Sequence, residues 1–303
     1  MARLLGIGDN VIDCNYTTGF AYPGGNCVNF AVFGRQLGNE AAYAGKIAAD
    51  KWGIVIKNVL TEKGVDISRC VTEEGETGIC GIRLTNGDRT ITDENDAGLV
   101  KASPFAVTEE MLEYIEGFDV VHSSVYSYIE KELRKIRDTG VPVLYDFSDE
   151  WDEDMLRNVC PDITYAFFSG KDLPDEELEK YLRICVHECG CNLAVTTIGG
   201  RGALVYNGKN LFRKDPYYYE GEVEDTTGAG DSWITGFMTA YLEGKKRLDW
   251  LKENETDRFI REVDEEDYME NLIKYGMSMG NLLARKNCLI KGSFGYGTRF
   301  QNP

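Results

Sequence analysis

Short apolar runs alternate with helix-periodic stretches along most of the chain, the pattern of a parallel sheet covered by helices. Residues 4–7 read as a buried strand, 28–37 as a helix ended by Gly38, and 41–44 as another strand. Asp50 is placed to cap a helix whose Trp52, Val55, Ile56, Val59 and Leu60 make one stripe. Further strands are predicted at 119–122, 143–147, 163–168 and 193–197, which gives an α/β, doubly wound fold. The stretch GICGIRLTNGDRTITDEND, from Gly78, breaks the alternation: two extended runs meet at Asn86-Gly87, a strong hairpin signal. Such a hairpin packs outside a parallel sheet, most naturally with the extended residues 14–21, as a small sheet that is either a lid or an edge decoration. Residues 245–270 are densely charged and helical in tone, and read as a solvated face.

At 303 residues the chain can bury a large core, and its 51 acidic against 33 basic residues leave a formal net charge of -18. That field repels polyanions, so nucleic acid and anionic membrane are excluded as general partners. A small phosphate site is not excluded, because local dipoles and cations make it. The apolar run at the N-terminus is too short for a signal peptide, and no segment is long enough to span a bilayer, so a cytoplasmic protein is expected. Nine cysteines, an odd number without scaffold spacing, point to reduced thiols. Cys185, His187, Cys189 and Cys191 cluster, but their spacing matches no common zinc pattern.

Three glycine-rich marks carry the candidate chemistry. In EDTTGAGDSWITG, residues 224–236, a helix is predicted to begin near Gly230, with Trp233, Ile234, Phe237, Met238, Tyr241 and Leu242 at helical spacing and Gly244 following. The first turn of a helix has unpaired N–H groups, and glycines at 228 and 230 let another molecule approach them, which makes an anion site with Asp231 at its mouth. A plain turn remains the alternative. PGGNCVNFA, residues 23–31, puts a glycine pair ahead of Asn26 and Asn29, amides able to read hydroxyls in both directions. TTIGGRG, residues 196–202, follows a predicted strand end, where open α/β sheets bind ligands. None is a P-loop or a Rossmann fingerprint.

In this order, Gly24-Gly25-Asn26, Thr197-Ile198-Gly199-Gly200-Arg201-Gly202 and Asp225 to Asp231 resemble the ribokinase/fructokinase-B family of carbohydrate kinases, over nearly the whole chain. IGDNVID at Ile7, GGNCVNFAV at Gly24 and DFSDEWD at Asp146 are similar to the members that phosphorylate fructoselysine. The resemblance implies a ribokinase-like three-layer α/β/α fold, one kinase domain over residues 1–303, with a mostly parallel sheet and a lid from residues 12–23 and 78–97. It implies ATP-dependent phosphorylation of a sugar hydroxyl, with fructoselysine or a related fructosamine, at the 6-position, as the leading acceptor. A fructokinase-, ribokinase- or nucleoside-type kinase and a non-catalytic sugar sensor are the alternatives.

By the same resemblance Gly228, Ala229 and Gly230 form an anion hole and Asp231 is the base. Asp13, Gly25, Asn26 and Asn29 hold the sugar, and Arg89 swings onto the substrate or stays an exposed hairpin arginine. Thr197, Gly199 and Gly202 line the nucleotide phosphates, and Asn281 lies in the region that approaches adenine. Where relatives show NxxE this chain has Ser169-Gly170-Lys171-Asp172, so Asp172, a shorter acid, is the candidate for Mg²⁺ through water. Asp225 and Thr227, with Gly292 and Ser293, match positions that hold a monovalent cation, K⁺, in some members, and a homodimer through the lid is a further expectation. A fructosamine carries a cationic amine, for which Asp9, Asp13, Asp93, Glu94 and Asp96 are the candidate partners.

Overall fold

The computed structural model describes residues 1–85, 88–218, 223–254 and 264–300, with the side chains of residues 85, 88, 89, 93 and 94 left aside. In chain order, β1 (Arg3–Ile7) leads into the hairpin β2 (Val11–Asn15) and β3 (Phe20–Gly24), then α1 (Asn26–Gln36), β4 (Glu40–Ala44) and β5 (Lys46–Ala48). Next come α2 (Lys51–Glu62), β6 (Val71–Glu73), β7 (Thr77–Thr85), β8 (Asp88–Ala97), α3 (Gly98–Ala102) and α4 (Glu109–Ile115). The β-α alternation then runs β9 (Val120–Ser124), α5 (Glu130–Asp138), β10 (Val143–Asp146), α6 (Glu153–Val159), β11 (Tyr165–Ser169), α7 (Asp175–Arg183) and β12 (Leu193–Thr197). The chain closes with β13 (Ala203–Tyr206), β14 (Leu211–Lys214), the long α8 (Ala229–Asn254), α9 (Glu265–Asn287) and β15 (Thr298–Arg299).

The main sheet has the order β14-β13-β12-β11-β10-β9-β1-β4, parallel from β12 to β4 and antiparallel at β13 and β14. Alternation of side chains along each strand feeds two cores. Leu4, Val120, Leu144, Phe167 and Val195 face α1, α2, α8 and α9, whereas Leu5, Val121, Tyr145, Phe168 and Ala194 face α4 to α7. Both faces are covered, which is why these strands read as continuous apolar runs. On α8, Trp233 stacks on Phe237 and Phe237 on Tyr241, an i, i+4 ladder laid against Phe167. The ladder is the helical stripe expected from the sequence. Asp50 caps α2 through a 2.7 Å bond from the Gly53 N–H, as expected.

A second sheet has the order β15-β3-β2-β7-β8. The predicted hairpin supplies β7 and β8, although its Asn86-Gly87 turn lies outside the described residues. Residues 14–21, expected to be extended throughout, instead bend between β2 and β3, where Asn15 Oδ1 accepts from the Thr17 and Thr18 N–H groups. Helix α8 runs on past Gly244 to Asn254, and Leu272 of α9 packs on the bare Gly244 Cα. Among the described residues no helix is long and apolar enough to cross a membrane.

Candidate active site

All the parallel strands end on one edge of the main sheet, and the site is assembled there. Helix α1 starts directly after β3, and its first turn has no side-chain cap from its own N-cap residue, Gly25. Asp9, two residues beyond β1, supplies the cap from a distance. Its Oδ2 accepts from the Asn26 N–H at 2.6 Å, and its Oδ1 from the Cys27 N–H and from the hydroxyls of Ser124 and Ser127. Asp9 was expected beside a substrate amine; it is 5% exposed and fully engaged by the protein, so its charge serves the helix terminus. Gly25 adopts φ 107, and a Cβ there would stand 2.8 Å from Asp9 Oδ2, so this cap requires glycine.

The first turn of α1 meets the first turn of α8. Asn29 Nδ2 donates to Asp231 Oδ2 at 2.7 Å and to Ser293 Oγ at 3.1 Å, so two helix N-termini converge on one half-buried carboxylate. Gly228, just before α8, has φ 76, and a Cβ on it would lie 2.7 Å from Ser293 Oγ. Gly230 is different: it is exposed and nothing stands within 4 Å of where its Cβ would be. The Gly228–Asp231 turn therefore leans on Ser293 behind and opens to solvent in front. Asp13, buried on β2, sits close by, since a Cβ on Gly24 would meet Asp13 Oδ2 at 2.5 Å and Asn29 Oδ1 at 3.9 Å. Asn29 Oδ1 is itself buried without a partner among the described residues, an acceptor facing the space beside Asp13.

Asn26 Nδ2 donates to Asp146 Oδ2 at 2.9 Å, which brings in a residue that motif reasoning quoted but gave no role. Asp146 closes β10, is 7% exposed, and accepts from the Ser148 N–H at 2.8 Å. Its carboxyl is pushed up to about 8, first by burial and then by the charge of Asp231. Asp146 is thus largely neutral at neutral pH, and the neighbouring charge of Asp231 is one reason for it. Beyond Asp146 the rim is acidic. Tyr128, with φ 56, has its phenol pushed up by burial and then by Glu130, Glu150, Asp9 and Asp96, while Tyr126 donates to Asp149 Oδ1 at 3.1 Å. Asp96 is exposed and accepts from the Gly98 N–H, whereas the side chains of Arg89, Asp93 and Glu94 lie outside the described residues.

Further along the same edge, Thr197 ends β12, and the 198–202 turn closes through the Ile198 N–H to Gly202 O bond at 2.8 Å. Gly199 has φ 57 and is exposed, while Gly202 is buried against Lys214. Asp172 lies exposed on the adjacent turn after β11, a hard oxygen donor of the type that a hydrated divalent cation takes. Asp225 is buried and accepts from the Thr227 and Gly292 N–H groups, both at 2.9 Å, tying the 224–231 turn to the 292–293 loop. Thr227 Oγ1 and Asn287 Oδ1 are buried there without partners among the described residues, so the oxygen set suits a dehydrated monovalent cation. Asn281 is buried beside the first turn of α8, where its amide oxygen accepts from Trp233 Nε1 and its Nδ2 donates to Asp215 O. Of the cysteine cluster, Cys185 and Cys191 are buried beside Cys160, while His187 turns away, its Nε2 2.7 Å from the Tyr206 hydroxyl. Among the described residues no group of His, Cys, Asp and Glu is arranged to hold a metal by itself.

The sequence profile described as pfkB family carbohydrate kinase matches residues 14–252. The chain is 33% identical over 296 residues to a fructosamine kinase of Bacillus subtilis (strain 168), spanning 97% of this chain and 94% of that protein. It is 30% identical over 244 residues to the fructoselysine 6-kinase of Escherichia coli (strain K12), spanning 80% of this chain and 91% of that one. Among solved structures, Arabidopsis thaliana ribokinase complexed with ribose and ATP superposes with a TM-score of 0.71 at 19% identity, over 96% of this chain and 94% of that chain. Ribokinase from Giardia lamblia gives a TM-score of 0.75 at 14% identity, over 97% and 95%. The fold is thus ribokinase-like, with a mostly parallel sheet between helices and a separate small sheet.

Proposed function

Because the chain belongs to the pfkB family of carbohydrate kinases and is a sugar kinase of that type, we propose that it transfers the γ-phosphoryl group of ATP to the 6-hydroxyl of a fructosamine, fructoselysine first among them. The observation that carries this reading is the Asn29–Asp231 bond, which holds a carboxylate at the open mouth of two helix N-termini. In this proposal the sugar lies between Asp13, Asn29 and the Gly24-Gly25-Asn26 turn, its attacking hydroxyl against Asp231. Asp231 takes the hydroxyl proton as the new O–P bond forms and the bond from the γ-phosphorus to the β,γ-bridging oxygen breaks, leaving the charge on the β-phosphate of departing ADP. The N–H groups at Gly228 and Gly230 face the transferring phosphoryl beside Ala229, whose own N–H donates to Thr226 O and fixes the turn, so that set dipoles in a partly dry site stabilise developing charge. Neutral Asp146 keeps a second negative charge away from that phosphoryl while holding Asn26 in place.

Thr197, Gly199 and Gly202 line the nucleotide phosphates in this reading. Asp172 would hold Mg²⁺ through water, and Asp225 and Thr227 would border K⁺; the metal supplies charge neutralisation on the phosphates when bound. In this reading the small sheet covers the sugar as a lid, Arg89 is the hairpin residue assigned to the substrate, and the β8 edge is the surface through which two copies would pair. A fructosamine is favoured over a plain hexose by the two relatives named for fructosamines, and Glu130, Glu150 and Asp96, whose charges reach Tyr128, are the candidate partners for the cationic amine. A charge pair in a partly desolvated cleft contributes about 1 to 3 kcal/mol, or roughly 5- to 150-fold in kcat/KM. The test is coupled ATP turnover with fructoselysine, fructose, ribose and adenosine at equal concentrations. Fructoselysine should lead by that factor, with the product phosphorylated at carbon 6. Equal kcat/KM for fructoselysine and fructose would remove the fructosamine assignment, and no turnover of any acceptor would leave a sugar-binding protein.

A further inference from the structure

We propose that Lys171 binds the phosphates of the nucleotide, an assignment that rests on the reading of the chain as an ATP-dependent kinase and adds a residue to its site. Ser169 and Thr197 pair in register as the last residues of β11 and β12, and the Gly170 N–H donates to Thr197 O at 2.9 Å. The turn that follows β11 is thereby laid against the turn that follows β12. Lys171 borders that second turn: a Cβ on Gly199 would stand 3.9 Å from Lys171 Cβ, and nothing stands within 4 Å of where a Cβ on Gly200 would be, while the Gly200 carbonyl accepts from the Tyr218 hydroxyl at 2.9 Å. Lys171 is exposed, so its ammonium group is free to move over this turn.

Its backbone is not free. The Arg201 guanidinium donates to the carbonyls of Gly170, Lys171 and Leu173, at 3.3, 3.1 and 2.7 Å, and pairs with Asp175 at the start of α7. Arg213 pairs with the same Asp175. One fixed clamp therefore joins the Lys171 turn to the Gly199–Gly202 turn, and the lysine stem starts from a set position relative to the glycines. The clamp also consumes both neighbouring arginines, whose charges are met by Asp175 and, for Arg213, Asp215 as well. Lys171 alone of the three has no acidic partner among the described residues. An unpaired ammonium beside a glycine turn, in a protein of net charge -18, is a local anion attractor. A compact point charge on a long stem suits phosphate oxygens, with no fixed fork geometry to satisfy.

The experiment is calorimetric titration of ATP and of AMP into the full-length protein, in wild type and in Lys171→Met, Lys171→Arg and Lys180→Met. Lys180→Met makes the same charge change on the outer face of α7, where Lys180 pairs with Glu153. Lys171→Met is expected to weaken ATP about 10-fold and AMP less than about twofold, with Lys171→Arg and Lys180→Met close to wild type. ATP binding unchanged in Lys171→Met overturns the proposal. So does an equal loss for ATP and AMP, or the same loss in Lys180→Met, since either marks a general effect of charge or fold. Absence of ATP binding in the wild type defeats the nucleotide reading itself and the lysine assignment with it, and it shows before any variant is made.

Discussion

Replacing Asp146 by asparagine should flatten the dependence of stability on pH between 6.5 and 8. The Asp146 carboxyl, ordinarily near 3.8, is raised to about 8, chiefly by burial and next by Asp231. The folded protein therefore holds a proton that the unfolded chain gives up, and stability falls as pH rises through that window. His122 acts with the opposite sign. Stacked on Phe30 and buried, it is pushed down to about 3 from 6.5, so stability falls as pH drops below 6.5. Each proton is worth about 1.4 kcal/mol per pH unit, so the two slopes cancel below 6.5 and Asp146 acts without that offset above it. From pH 6.5 to 8 the wild type should lose about 2 kcal/mol more than Asp146→Asn, which keeps an acceptor for the Ser148 N–H but cannot titrate. Urea unfolding followed by tryptophan fluorescence at the two pH values measures the difference. Equal slopes in the two proteins would mean that Asp146 is already ionised at pH 6.5, and its role as a neutral group beside Asp231 would fall.

Gly230→Val should fold normally, because its Cβ meets nothing within 4 Å, yet lose roughly 10²-fold in kcat/KM as the branched side chain displaces the phosphoryl group; full activity would dispose of the anion hole. Asn29→Ala removes the 2.7 Å donor from Asp231 and should lower kcat about 10-fold and move the acidic limb of the pH–rate profile upward, with ATP affinity unchanged; an unmoved limb would show that Asn29 does not tune the carboxylate.

The periodic parts of the chain were legible because their pattern is set by the core. The runs ending at Ile7, His122 and Thr197 alternate between two helical layers, and Trp233, Phe237 and Tyr241 repeat every four residues against Phe167. The edge hairpin of β13 and β14 was missed although it carries its own turn signal, Asn207-Gly208, with Asn207 Oδ1 accepting from the Lys209 and Asn210 N–H groups. Gly244 lies inside α8 at a close approach to Leu272 of α9, a pairing between helices that the local sequence does not show. The glycine turns of the site were visible as motifs, but their partners were not. Asp9 caps a helix that starts at Asn26, and Asp146 meets an amide 120 positions away, and spacing along a chain carries no record of such pairings. The acids expected at the substrate amine were consequently chosen on sequence position, and Asp9 proved to be committed to the fold.

The central claim, that Asp231 at the head of α8 is the proton acceptor for phosphoryl transfer, is tested most directly by Asp231→Asn. The change keeps the shape and removes the acceptor, so rapid-quench measurement of phosphoryl transfer beside calorimetric ATP binding separates the two roles. The account predicts transfer slowed by roughly 10² or more with ATP affinity within about threefold of wild type. A variant that transfers phosphate at the wild-type rate while binding ATP poorly would contradict it, and would make Asp231 a nucleotide-site residue.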